Sequence, residues 1–285
     1  MGIFEAIIYG IIQGIAEFLP ISSSGHLALA QNFSQMFSNE GIDSEENFVF
    51  NIALHLATLI SVCVVYRKDV LDLIKGFFSL VKKLFTGKLK DGLDKGEKLF
   101  LMLCVATLPL VPVKLLNLDE FVKDLSGITW AIGMLLIING TMLYISDRLA
   151  TRGTTAENGG FLRPLGVGCM QAMLGILPGI SRSGSTITGG KIFGYTREEA
   201  VRFSFLMSIP AILGACVFEL PQMFEQGFSM DMFTPVLVGA VVAAVVGFFA
   251  IKLLQYLTKN KSFTFFAVYS VIVGIGSIIV YFAFN

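Results

Sequence analysis

A chain of 285 residues with 54% hydrophobic and only 15% charged positions, and a mean hydropathy of +0.75, lies outside the range of a soluble domain and reads as a membrane protein. Its formal net charge of zero gives a nucleic-acid partner no electrostatic support. Cys63, Cys104, Cys169 and Cys216 lack the paired spacing of a zinc site or disulfide framework and read as small buried hydrophobes. In chain order, residues 3 to 19 form an apolar helix ended by Pro20, and Gln13 and Glu17, at i and i+4, share one face. With no basic region before it and no small-residue cleavage site after it, this helix is expected to be retained rather than removed as a signal peptide. A turn of Ser22, Ser23, Ser24 and Gly25 leads into a second short helix from His26 to about Phe37. Both pieces fall short of the roughly 20 residues a span requires. They fit a re-entrant hairpin, which is tolerated at membrane depth only where protein or a wet cavity surrounds it.

Six full-length spans follow, at about 48 to 66, 98 to 117, 126 to 146, 200 to 220, 233 to 256 and 263 to 283. Between the third and fourth lies a second apparent hairpin, roughly 162 to 178 and 183 to 194. It repeats the first: Gly10, Gln13, Leu19 and Pro20 fall on Gly168, Gln171, Leu177 and Pro178, an offset of 158. One inserted residue, Gly179, then aligns Ile-Ser-Ser-Ser-Gly at 21 to 25 with Ile-Ser-Arg-Ser-Gly at 180 to 184. The chain shares one plan between two halves.

Six spans, with each hairpin returning to its own side, put both termini on one face. One side receives 18 of the 21 Lys and Arg: nine from Arg67 through Lys98, then Arg148, Arg152, Arg163, Lys191, Arg197, Arg202, Lys252, Lys259 and Lys261. The other receives Lys114 and Lys123, and Arg182 sits in the second turn. By the positive-inside rule the basic side is cytoplasmic and both termini face out. The loops near 38 to 47 and 219 to 231 carry acids and no bases. The same parity makes one hairpin dip from outside and the other from inside, with their turns meeting near mid-bilayer. The expected fold is therefore an all-α polytopic membrane protein, with six transmembrane helices plus two re-entrant helical hairpins in an inverted-topology repeat. It forms one integral membrane domain, 1–285, whose halves are approximately 1–147 and 160–285.

A carboxylate in an apolar helix costs several kcal/mol unless solvated or paired, so Glu17 is the first catalytic candidate. Gln13 can hold a ligand oxygen or act as glue between helices. Ser23 and His26, three residues apart, can face one pocket, giving a hydroxyl nucleophile, a base and Glu17 to orient it. Arg182 is the only arginine outside the basic loops, and its turn offers Gly179, Ser181, Ser183, Gly184, Ser185 and Thr186. A planar, permanent cation beside hydroxyls and backbone N–H groups suits phosphate oxygens. His55 and Asn51 form a polar face that either reaches the cavity or is an interior pair. Glu198, Glu199, Arg197 and Arg202 read as a solvated helix start after Thr196 as N-cap. The Lys-rich loop 67 to 98 can lie along anionic headgroups.

At these residues the sequence resembles the undecaprenyl-pyrophosphate phosphatase family of bacteria, the type named for bacitracin resistance. The first family motif, Glu or Gln followed four residues later by Glu, matches Gln13 and Glu17, and Phe-Leu-Pro-x-Ser-Ser-x-Gly-His matches Phe18 through His26. The second, Pro-Gly-x-Ser-Arg-Ser-Gly-x-Thr, matches Pro178 through Thr186, and Arg-Phe-Ser-Phe-Leu-x-x-Ile-Pro-Ala matches 202 to 211. The resemblance implies hydrolysis of undecaprenyl pyrophosphate to undecaprenyl phosphate and inorganic phosphate at the outer face of the bacterial inner membrane. That reaction recycles the carrier for peptidoglycan synthesis and confers bacitracin resistance. It also implies a divalent cation, Mg²⁺ or Ca²⁺, with Glu17 as its candidate ligand. Catalytic candidates are Glu17, Ser23, His26 and Arg182; substrate-binding candidates are Gln13, Ser22, Ser181, Ser183 and Thr186. Ser23 and His26 both stand as candidate nucleophiles. The expected partners are a polyprenyl pyrophosphate lipid and the bilayer, without nucleic acid, and a homodimer stays open. An inverted-repeat transporter or flippase would share the architecture without turnover, and an intramembrane serine protease would want Ser and His but no arginine.

Overall fold

The computed structural model describes residues 2–38, 44–88, 92–149, 153–158, 160–226, 232–260 and 262–284. Among these the chain is helical, with a single parallel bridge between Thr154 and Tyr195 outside the helices. In order the helices are α1 (Ile3–Ala16), α2 (Ser23–Ser38), α3 (Ser44–Val65), α4 (Arg67–Thr86), α5 (Lys95–Thr107), α6 (Leu110–Leu115) and α7 (Leu118–Ser126). They continue with α8 (Thr129–Arg148), α9 (Leu162–Met173), α10 (Arg182–Ile192), α11 (Arg197–Gln226), α12 (Phe233–Asn260) and α13 (Thr264–Phe284). Six segments are long and apolar enough to cross a membrane: α3, α5 with α6, α8, α11, α12 and α13. The protein is a multi-pass membrane protein. The expected spans reappear within a few residues, because each is set by a local run of apolar side chains. Lys90, Arg152 and Lys261 of the charge count, and residues 39–43 and 227–231 of the acidic loops, lie outside the described residues.

The short helices stop earlier than their apolar runs. α1 ends at Ala16, before Leu19, because Pro20 disfavours helical backbone at the residue preceding it; the Glu17 N–H still reaches Gln13 O at 2.9 Å. Ser22 then takes a positive φ of 77°, and α2 starts at Ser23. Ser23 through His26 are thus the first turn of a helix rather than a loop. α9 likewise stops at Met173, five residues before Pro178, and α10 starts at Arg182 behind the N-cap Ser181.

Four other expectations change. Most of the Lys-rich stretch 67 to 98 is a helix, α4, with lysines alternating around an apolar face that includes Leu73 and Gly76; Gly87, left-handed at φ 66°, ends it. The span from 98 to 117 is broken at Leu108 and Pro109, since neither Pro109 nor Pro112 can donate to the helical ladder. Glu199 is buried rather than solvated: beyond the Thr196 cap it accepts from Ala156 N at 3.1 Å and from Arg202, which also binds Asp69 at 2.7 Å and ties α11 to α4. The cysteines are free, but none is buried; Cys104 and Cys169 lie on the apolar outer surface.

Packing follows the small residues. A Cβ on Gly10 would come within 2.6 Å of Gly239 O, and one on Gly168 within 2.1 Å of Ala106 O, so α1 lies against α12 and α9 against α5 at backbone distance. α8 and α13 pack together along much of their length. At one end of that pair Asp147 accepts from Phe263 N at 3.0 Å and is paired with Arg197, which closes α8, α11 and the α12–α13 connection into one junction.

Candidate active site

The two turns touch. A Cβ on Gly25 would lie 2.8 Å from Gly179 Cα, and Gly179 itself has φ 106°, which only glycine adopts without strain. Ser22 Oγ accepts from Gly179 N across the junction and from Gly25 N in its own turn, each at 3.2 Å. Ser181 Oγ does the equivalent for Gly184 N at 3.1 Å. From α8, the fully buried Asn139 holds both turns at once, donating to Pro20 O at 3.0 Å and accepting from Ser181 N at 3.0 Å. Asn139 was not a sequence-based candidate. Its signal was available, since an amide at the centre of an apolar span is costly unless it has work to do.

Above this junction lies a cavity of about 480 Å³, lined by Glu17, Ser23, Ser24, Ser181 and Arg182 of the turns, Gln171 of α9, Asn51 and His55 of α3, and from α11 by the small and apolar Ala211, Ile212, Ala215 and Cys216 together with a second acid, Glu219. Glu17 is its hub. One carboxylate oxygen accepts from Arg182 Nη2 at 2.7 Å; the other accepts from Ser23 Oγ at 2.7 Å and Gln13 Nε2 at 3.1 Å. His55 Nε2 stands 3.8 Å from that second oxygen, and its Nδ1 is bonded to Asn51 O at 2.8 Å. His55 and Asn51 therefore belong to the cavity rather than to an interior pair. The Glu17 side chain is 4% exposed and Arg182 18%, so the pair is held where water screens little.

Other candidates sit differently. His26 is not joined to Ser23: its Nδ1 meets Ser22 O at 2.8 Å, its Nε2 meets Tyr269 OH at 3.0 Å, and its ring stacks on Tyr269. It is absent from the cavity wall. The expected hydroxyl–imidazole pair fails because the α2 backbone turns Ser23 toward α1 while α13 supplies a partner that draws the ring the other way. Ser22, Ser183 and Thr186 are buried behind the wall: Ser183 bonds Ser181, and Thr186 bonds Arg182 O and Ser204. They shape the turns; of the serine and threonine candidates for binding only Ser181 faces the cavity. Gln13 is buried and braces Glu17.

Hard divalent cations take oxygen ligands and need only one or two carboxylates when phosphate oxygens and water complete the shell. Among the described residues no cluster of three or more His, Cys, Asp or Glu forms a dedicated site. Glu17, with the partnerless buried oxygen of Asn51 in the same cavity lining, fits a cation that arrives with a diphosphate.

A family model described as bacitracin resistance protein BacA matches residues 6–276. The chain is 38% identical over 283 residues to a protein of Alkaliphilus metalliredigens named undecaprenyl-diphosphatase, covering 99% of each. It is 36% identical over 279 residues to one of the same name from Halothermothrix orenii, covering 98% of each. A third so named, from Methanobrevibacter smithii, is 36% identical over 278 residues, 96% of each.

Proposed function

The chain belongs to the bacitracin resistance protein BacA family, and on that premise we propose how its cavity performs the family's reaction. The protein is an undecaprenyl-diphosphatase. It hydrolyses undecaprenyl pyrophosphate to undecaprenyl phosphate and inorganic phosphate, returning the lipid carrier to cell-wall synthesis, the activity that underlies bacitracin resistance. The observation that carries the residue assignment is the convergence of Arg182 and the Ser23 hydroxyl on Glu17, each by one hydrogen bond to a different carboxylate oxygen, in a largely apolar cavity.

Arg182 releases Glu17 in part and clamps the terminal phosphoryl oxygens, helped by Ser181 and by the positive dipole ends at the starts of α2 and α10. Phosphoryl transfer needs mainly positioning and charge stabilisation, so this clamp supplies the larger share of the rate. Ser23 Oγ attacks the terminal phosphorus in line while Glu17 takes its proton. The bond to the bridging oxygen breaks and undecaprenyl phosphate leaves; water then cleaves the serine phosphate, and inorganic phosphate departs. Glu17 as base is supported by its 2.7 Å contact with Ser23 Oγ. Ser23 rather than His26 as nucleophile is supported by the engagement of both imidazole nitrogens outside the cavity. His26 then steadies the first turn of α2 against α13. A Mg²⁺ or Ca²⁺ held by Glu17 and the Asn51 oxygen would neutralise phosphate charge. The isoprenoid tail leaves through a second, apolar hollow of about 570 Å³, lined by Pro109, Pro112, Val113, Ala172 and Met173 and sharing Ile176 with the first.

The helical pieces α1–α2 and α9–α10 read as re-entrant hairpins entering from opposite leaflets, and the halves 1–147 and 160–285 as an inverted repeat. Support comes from exchange: α1 packs on the second span of the other half, α12, while α9 packs on the second span of the first half, α5 with α6. The membrane is the bacterial inner membrane, with both termini outside and the cavity open to the outer face. The cavity's span residues lie at the start of α3 and the later part of α11, the ends away from the Lys/Arg-rich connections.

The test is phosphate release from a long-chain polyprenyl pyrophosphate by purified protein in detergent, with and without chelator. Release abolished by Arg182→Ala is the expected result; full activity in that variant contradicts the clamp. Trapped phosphate on histidine rather than serine would reject Ser23 as nucleophile.

A further inference from the structure

We infer that Gln171 is a substrate-binding residue, its side-chain amide donating to a phosphoryl oxygen of the diphosphate beside Arg182. The inference rests on the cavity being the lipid-pyrophosphate site, and begins from an anomaly. Gln171 is 1% exposed, lines the same cavity as Glu17 and Arg182, and neither end of its amide has a hydrogen-bond partner. Among the described residues it is the only buried amide unmet at both ends. A buried amide left unpaired is destabilising, and replacement by an apolar side chain of the same shape would be neutral or better. Interhelical glue does not account for it, because its amide reaches no other helix.

Its counterpart in the first motif shows why it is free. Gln13 donates to Glu17, one turn ahead, at 3.1 Å. At the position matching Glu17 the second motif has Gly175, which also lines the cavity. Gln171 therefore has no carboxylate to hold, and its two N–H donors stay available beside Arg182, whose Nη1 is likewise buried and unmet. Two adjacent sets of unmet donors in one cavity match the acceptor-only oxygens of a diphosphate. No bond is made or broken by Gln171; it orients the group that Ser23 attacks.

The test compares wild type, Gln171→Met and Gln171→Glu, purified in detergent, by kinetics on a long-chain polyprenyl pyrophosphate, by inhibition with inorganic pyrophosphate, and by thermal melting. Gln171→Met is expected to melt at or above the wild-type temperature while kcat/KM falls at least tenfold, mostly through KM, with inhibition by pyrophosphate weakened to match. Gln171→Glu, nearly the same shape but placing an acceptor toward phosphate, is expected to lose at least a further tenfold. Unchanged kinetics in Gln171→Met, or a lowered melting point whose loss of folded protein accounts for the lost activity, would overturn the assignment. So would Gln171→Glu as the milder variant. Wild-type protein that releases no phosphate would remove the functional reading itself, and this assignment with it; active wild type with indifferent Gln171 variants removes this assignment alone.

Discussion

The two serine-glycine turns share a backbone plan and differ in chemistry. Ser22 and Ser181 occupy matching positions, and each caps its own turn through a glycine N–H, at 3.2 and 3.1 Å. The next residue opens a helix in both cases, but it is Ser23 in one and Arg182 in the other. Four residues past the matched glutamines stand Glu17 and Gly175. One turn thus carries the hydroxyl and the acid, the other the cation and a free amide. A scaffold used twice brings two helix starts together; divergence at the matched positions places the Ser23 hydroxyl on Glu17 from one turn and the Arg182 guanidinium on the same carboxylate from the other. Neither turn is a site without the other.

That division can be broken at several points, and the expected losses descend in order. Removing the cation with Arg182→Ala should cost about 10³-fold or more in kcat, the scale of losing a main transition-state charge partner. Arg182→Lys should recover only part of it, because a point charge lacks the planar fork. Steady-state kinetics on the lipid pyrophosphate decide both. Glu17→Gln should reduce kcat about 10²-fold, within the range of a lost general base. It should also lower the melting temperature in detergent, since Arg182 is then left without its counter-charge; an unchanged melt would mean that the pair contributes nothing to the resting protein. Asn139→Leu removes a hydrogen bond to each turn, so a loss of about 1–3 kcal/mol in stability is expected at the strength such bonds have within membranes. Activity should fall in step, without a change in which residue is phosphorylated. His26→Gln should have the smallest effect, below about tenfold, because the imidazole acts from behind the turn; a loss as large as that of Arg182→Ala would put histidine back into the chemistry. A separate, modest effect is expected in the tail hollow, where Ala172→Trp should raise KM for long-chain but not short-chain pyrophosphates. Equal effects on both would detach that hollow from the substrate.

Much of this was legible in the residues. The spans, the paired motifs and the candidates Glu17, Ser23 and Arg182 come from local signals: apolar runs of sufficient length, a proline at each break, and charges where hydrocarbon penalises them. Helix ends were less legible, because the turn before each proline absorbs several residues that still look apolar. Gln171 was visible as the match of Gln13 but gave no sign of being unpaired.

Composition and periodicity alone determined that this chain spans a membrane several times and holds two similar polar turns, because both properties depend only on neighbours along the chain. Only the tertiary structure decided which groups meet. Ser23 reaches Glu17 instead of His26, His26 finds Tyr269 from a helix 243 positions away, Asn139 spans both turns, and Gln171 is left facing the cavity alone. Side-chain direction at a helix start is chosen by what the opposing helices offer, and those helices come from the other end of the sequence.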